Sequence, residues 1–251
     1  MSWLSRVFGS LFSKKSKYIT PGLEEANKPK PPPTDKDEQR ARRRRSEERL
    51  RGEGVPLDPD RPLVESESQV RLRTPQEVAD RTLALTLTAM KAEGMDHNVM
   101  LEIVIEREAR SLFTDEERAF IDDPTPSESD CTKFAASFEA AWALIWALRL
   151  IREPLSKPCE SCDNERLVEI VRDTPDLAAY ALREPGRVLD KLDLFLRYAW
   201  AVKQALDEGR KPPSQINPDV ALERYHALSW LTFQPGHEDW DEPVFTFREA
   251  S

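Results

Sequence analysis

The sequence predicts an all-α protein: a single helical domain preceded by a basic, partly disordered N-terminal arm. Three observations predict it. Apolar residues recur at helical spacing in FEAAWALIWALRLI, LDKLDLFLRYAWAV and ERYHALSWL, and each stretch is anchored by tryptophan. No segment alternates convincingly as a strand, V-F-T-F at 244–247 being the one candidate. Glycine is scarce, with 8 residues in 251 and none between Gly94 and Gly186. That leaves no G-x-G-x-x-G string and no phosphate-cradling loop of the familiar nucleotide-binding sheets.

The elements follow in order. Over residues 1–17, Trp3, Leu4, Val7, Phe8, Leu11 and Phe12 share one helical face, with Arg6, Lys14, Lys15 and Lys17 off that face or at its end. This spacing predicts a short amphipathic helix that lies on a membrane surface or docks on a partner. The plainer alternative is a terminus that folds back or frays. Residues 18–73 read as a Pro-rich and charged linker. Pro29, Pro31, Pro32 and Pro33 favour an extended chain there. The charged stretch 37–51 is expected to be helical and carries Arg42 to Arg45. With Glu38, Glu47 and Glu48 interspersed, it reads as a solvated face before a phosphate-contacting patch, and its Arg45–Pro56 part as one that packs on the domain.

The domain is expected over 74–242, with 243–251 as a tail. Thr74-Pro75-Gln76-Glu77 is a capping box with proline at the first helical position, and that helix stops at Gly94. Helices are expected next over 97–110 and after the second capping box, Thr114 to Glu117. The stretch 130–152 is apolar nearly all round, which predicts one central buried helix. Shorter helices are expected over 164–173 and 175–183, and longer ones over 186–208 and 217–232.

Charge is divided unevenly. Residues 1–51 hold 14 Lys and Arg against 7 Asp and Glu, and the remainder holds 23 against 39. A basic arm on an acidic body suits a protein partner or peripheral membrane contact. Nucleic acid is the weaker expectation, because no aromatics interleave with the arginines. Neither a secretory leader nor a run of about 18 apolar residues is visible. The expected location is the cytoplasm, with peripheral contact at the inner membrane through residues 2–17.

Candidate chemistry lies on the tryptophan-anchored helices. Glu139, Trp142, Asp193, Arg197, Glu223 and His226 sit within core-like patterns, where a charge must be paired or line a pocket. In a pocket, Glu139 or Glu223 would accept a proton, His226 would be its acid partner and Arg197 would orient an anion. In a core, Asp193–Arg197 and Glu223–His226 would pair to fix helix register. The tryptophans read as core anchors before an aromatic cage for a cation. Cys159-Glu-Ser-Cys162 reads as an inter-helix loop, since a zinc site needs two further ligands and a redox site needs a βαβ setting. No cofactor and no metal is expected.

Several blocks resemble a known family. R-S-E-x-x-L with a following G-V-P (Arg45 to Pro56) and E-V-A-x-R-x-L-A-L (Glu77 to Leu85) are similar to the start of the bacterial domain of unknown function 4272 family. E-A-A-W-A-L-I-W-A-L from Glu139, L-D-K-L-D-L from Leu189, E-R-Y-H-A-L-S-W-L from Glu223 and D-W-D from Asp239 resemble its later blocks in order. The resemblance covers roughly residues 40–242. It departs where Tyr225 separates Arg224 from His226, and after Asp241. It implies a fold and a bacterial setting but carries no activity. The expected function is a non-enzymatic protein-interaction module, the alternative being a ligand-binding protein or enzyme using the buried Glu/Arg/His cluster.

Overall fold

A computed structural model describes residues 34–155, 157–234 and 239–241. The expected amphipathic helix, with Trp3, Leu4, Val7, Phe8, Leu11 and Phe12, lies outside the described residues, as does V-F-T-F at 244–247. Within the described residues all regular structure is helical: α1 (Asp35–Gly52), α2 (Pro75–Ala92), α3 (His97–Glu106), α4 (Asp115–Asp122), α5 (Glu128–Ala135), α6 (Ser137–Ala147), α7 (Asn164–Asp173), α8 (Pro185–Asp207) and α9 (Pro218–Leu231), with 3₁₀ turns at Ala109–Leu112 and Leu177–Ala179. None of these helices is long and apolar enough to cross a membrane.

Local chemistry sets the ends. Both capping boxes form: Thr74 and Thr114 accept the backbone N–H of Glu77 and Glu117, whose side chains reach back to the cap. Asn217 and Asp96 cap α9 and α3 through their side chains. Gly94 and Gly209 adopt left-handed φ of 97° and 65° just past α2 and α8, a conformation that costs glycine nothing.

Helix α6 is the centre. All of its residues are buried, as a helix apolar on every side requires. It packs between α2 and α9, and α9 packs in turn on α8. Trp142, Trp146, Leu144 and Ile145 join Phe195, Leu196, Leu228 and Trp230 in one core. A smaller core gathers Leu87, Met100, Val104, Phe113 and Ile121 between α2, α3 and α4. The hydroxyls of Thr82, Thr86 and Thr88 are buried in α2, and each donates to the carbonyl four residues back, at 2.7–2.9 Å.

Three elements differ from expectation. The Arg45–Pro56 part packs on the domain as expected, through Leu50 and Val55, but the core also takes in Val64, and α1 packs on α8. Arg42 accordingly is buried, 1% exposed, and not part of a solvated face. The stretch 130–152 is two helices meeting at Ala136. Upstream, Phe134 stacks on Phe120 of α4 with centroids 4.3 Å apart, while α6 turns into the core. Residues 175–183 form only a 3₁₀ turn, Leu177–Ala179, capped at its start by the Asp176 side chain, which accepts from Ala179 N–H.

Candidate functional site

The buried charged side chains Glu139, Arg224, Asp193, Arg197 and Arg81 can each be traced to a partner. Glu139 on α6 faces Arg224 on α9: Nε of Arg224 donates to Oε2 of Glu139 at 2.9 Å, and Nη2 lies 2.7 Å from the same oxygen. The other carboxylate oxygen, Oε1, accepts the Cys162 backbone N–H at 2.6 Å. Arg224 also donates to the carbonyls of Lys157 and Glu160. The pair therefore pins the 157–162 loop to two central helices. The backbone N–H of Asn217, donated to the Pro158 carbonyl at 2.7 Å, adds a further tie.

This geometry gives Cys159-Glu-Ser-Cys162 its place. The loop reading holds, and all three cysteines are free thiols. Burial pushes the Cys162 thiol well above its ordinary pKa, with the nearby Glu139 carboxylate adding to the effect, so it carries little thiolate. No three His, Cys, Asp or Glu side chains converge as metal ligands among the described residues.

Asp193 and Arg197 pair one turn apart on α8, at 3.1 Å from Nε and 2.8 Å from Nη2. Both are fully buried, and Nη1 of Arg197 points toward Glu47 of α1 at 3.7 Å. Burial opposes ionisation of Glu47, but Arg43, Arg197 and Arg51 outweigh it and hold its carboxyl below the usual range. Arg197 thus joins α8 to α1. It orients a protein carboxylate where the pocket reading had an external anion.

His226 does not pair with Glu223. Its ring packs on the Trp240 ring, centroids 4.3 Å apart, and Nε2 lies 3.0 Å from the Trp240 carbonyl. Trp240 also meets the edge of Trp230 and sits beneath the Arg81 guanidinium, 4.8 Å from its ring centroid. Arg81 in turn forms a buried ion pair with Glu117. Half-buried Trp240 is therefore a plug against the body of the domain, with Asp239 and Asp241 exposed beside it. Trp142 is a core side chain, 8% exposed.

Glu223 stands apart. It makes no side-chain hydrogen bond or ion pair among the described residues. Burial raises its pKa to about 7, helped by Asp219 and Glu139 and opposed by Lys133. The structure thus brings Glu139 near Glu223 and separates both from Asp193–Arg197. The residue that sequence reasoning missed as a site member is Arg224. The signal was present, since a carboxylate at Glu139 within an apolar helix requires a cation, but the cation lies 85 residues away in the chain.

Two surface pockets are lined by none of the six candidate residues. One, about 550 Å³, is mainly apolar and runs along α3, lined by Leu101, Val104 and Ile105 and closed by Glu108, Arg110, Ser111 and Asp122. Ile105 is 76% exposed there. The other, about 180 Å³, is polar and opens between α1 and α8.

Comparison with known proteins places the chain in a family. The family model described as Domain of unknown function (DUF4272) matches residues 42–243, and the chain belongs to that family. No curated protein and no solved structure matches it.

Proposed function

We propose that this member of the DUF4272 family is a non-enzymatic protein-interaction module of the bacterial cytoplasm. Its partner surface is the α3 groove, and residues 2–17 form a second anchor to a partner or to the inner-membrane surface. The observation that carries this reading is the exposure of Ile105 in an apolar groove of about 550 Å³. Ile105 in water beside the apolar groove enlarges it into a contiguous apolar patch, and such patches mark contact surfaces. The charges around it narrow the partner. Glu102, Glu106 and Glu108 are exposed on or just beyond α3, while Arg110 is held by Asp122 in two hydrogen bonds of 2.8 and 2.6 Å. An amphipathic helix with apolar anchors and basic flanks complements this surface.

A second line of support is that Glu139, Asp193, Arg197 and His226 are occupied by protein partners at short range. Chemistry at those groups would require breaking contacts that hold the helices together.

The test is a photo-crosslinking residue placed at Ile105 in the native cell, followed by reconstitution of the purified partner with the full-length protein. Ile105→Glu is expected to weaken that reconstituted complex about tenfold or more, as for loss of a central apolar anchor. Equal binding by wild type and variant would sink the reading.

A further inference from the structure

The pocket between α1 and α8 has a charge imbalance. Arg42, Arg45, Ser46 and Arg49 line it from α1, and Asp190, Lys191 and Leu194 from α8. Four cations and one carboxylate line it, while Glu38 and Glu67 meet Arg42, and Glu53 meets Arg49, from outside the lining. Three of the four are already engaged. Arg42 donates to Asp190 at 3.2 Å, to the Glu65 carbonyl at 3.1 Å and to Glu38. Arg49 donates to Glu53 at 2.8 Å. Arg45 donates to the same Asp190 oxygen at 2.6 Å, with its side chain 59% exposed.

Lys191 is the fourth, and among the described residues it makes no hydrogen bond and no ion pair. Its surroundings are largely cationic: Arg49, Arg187 and Arg183 face it, with Asp190 the opposing charge. Burial, then Arg49, holds its ammonium below the usual lysine range. A half-buried ammonium among like charges is costly unless an anion meets it.

We infer that this pocket binds a single phosphoryl group, with Lys191 and Arg45 as its direct partners and Arg49 at the rim. The charge favours a dianion over a carboxylate, because its oxygens can take a guanidinium fork and an ammonium together. The size sets the other limit. At about 180 Å³ the pocket lies below the range for whole drug-sized ligands, so one group enters and the rest of the molecule stays outside. Asp190 opposes the anion and occupies Arg45 until the anion arrives.

The test uses full-length protein at low ionic strength, titrated by calorimetry with inorganic phosphate and, separately, with glycerol 3-phosphate. Saturable binding of one phosphate per chain is expected. Lys191→Met should weaken it about tenfold or more, the cost of a lost charge-assisted contact, while the ligand-free protein melts at or above the wild-type temperature. Asp190→Asn should tighten binding, since it removes the repelling charge and frees Arg45. That sign separates a ligand site from a purely structural ion pair. Stronger binding of the ester than of phosphate identifies a phosphorylated small molecule as the source, and the reverse identifies the free anion; either supports the site. Binding without saturation, or unchanged by Lys191→Met, or weakened by Asp190→Asn, overturns it.

Discussion

The junction of α6 with α9 and the outer edge of the α1–α8 junction use the same side chains to opposite effect. At the first, Glu139 has both oxygens occupied, and Arg224 divides its donors between that carboxylate and two loop carbonyls. At the second, Arg45 shares an oxygen that Arg42 already holds, and Lys191 holds nothing. Arginine in a closed set is structural. An ammonium without a partner at an open edge invites a ligand. Burial alone does not distinguish the two; the completeness of the partner set does.

The largest effect that would sharpen this contrast is at Arg224. Arg224→Met leaves Glu139 buried without its cation and strips two donors from the 157–162 loop. We expect a loss of about 3–5 kcal/mol in urea unfolding. Adding Glu139→Gln to that variant should recover part of the loss, because the uncompensated charge goes with it. A single-variant loss under about 1 kcal/mol would break the contrast, since the closed set would then be no firmer than a surface pair.

Glu223 gives a smaller effect with a defined sign. In the folded chain its pKa is about 7 against an ordinary 4.5. Between those values the folded state keeps a proton that the unfolded chain has lost. Stability contributed by this group therefore falls as pH rises through that window and levels off above about 7. Glu223→Gln cannot ionise, so its advantage over wild type should grow across the same window. We expect about 1–2 kcal/mol at pH 8, since partial exposure lets water screen the charge. Melting curves at pH 4.5 and pH 8 measure it, and an advantage that shrinks with pH would refute the assignment.

The smallest effect on stability is expected at the open surfaces. Ile105→Glu should stay within about 0.5 kcal/mol of wild type by chemical denaturation, as exposed substitutions do. A larger loss would show that Ile105 supports the fold and not a contact.

Much of this architecture was legible in the sequence, for local reasons. The Thr74–Glu77 and Thr114–Glu117 boxes, Pro218 after Asn217, and Pro185 at the start of α8 fix helix ends through contacts within a few residues. The Asp193–Arg197 pair was legible for the same reason, lying one turn apart. What escaped was long-range. The break at Ala136 has no glycine or proline to announce it and depends on Phe134 meeting Phe120. Arg42 looked solvated because its neighbours are charged. Its burial depends on Asp190, 148 residues away, and on the Glu65 carbonyl. His226 was set beside Glu223 by sequence spacing, yet its contact is the Trp240 plug.

That plug bears on how the chain comes off the ribosome. Arg73 donates its backbone N–H to the Leu231 carbonyl at 3.0 Å and its Nε to the Trp230 carbonyl at 2.9 Å. Arg81 and His226 wait on Trp240. A chain made from its N-terminus cannot make these particular ties until residues 230–240 have been translated. Until then the face of α6 that α9 covers stays open, and an apolar face left open during synthesis is a site for chaperones and for aggregation.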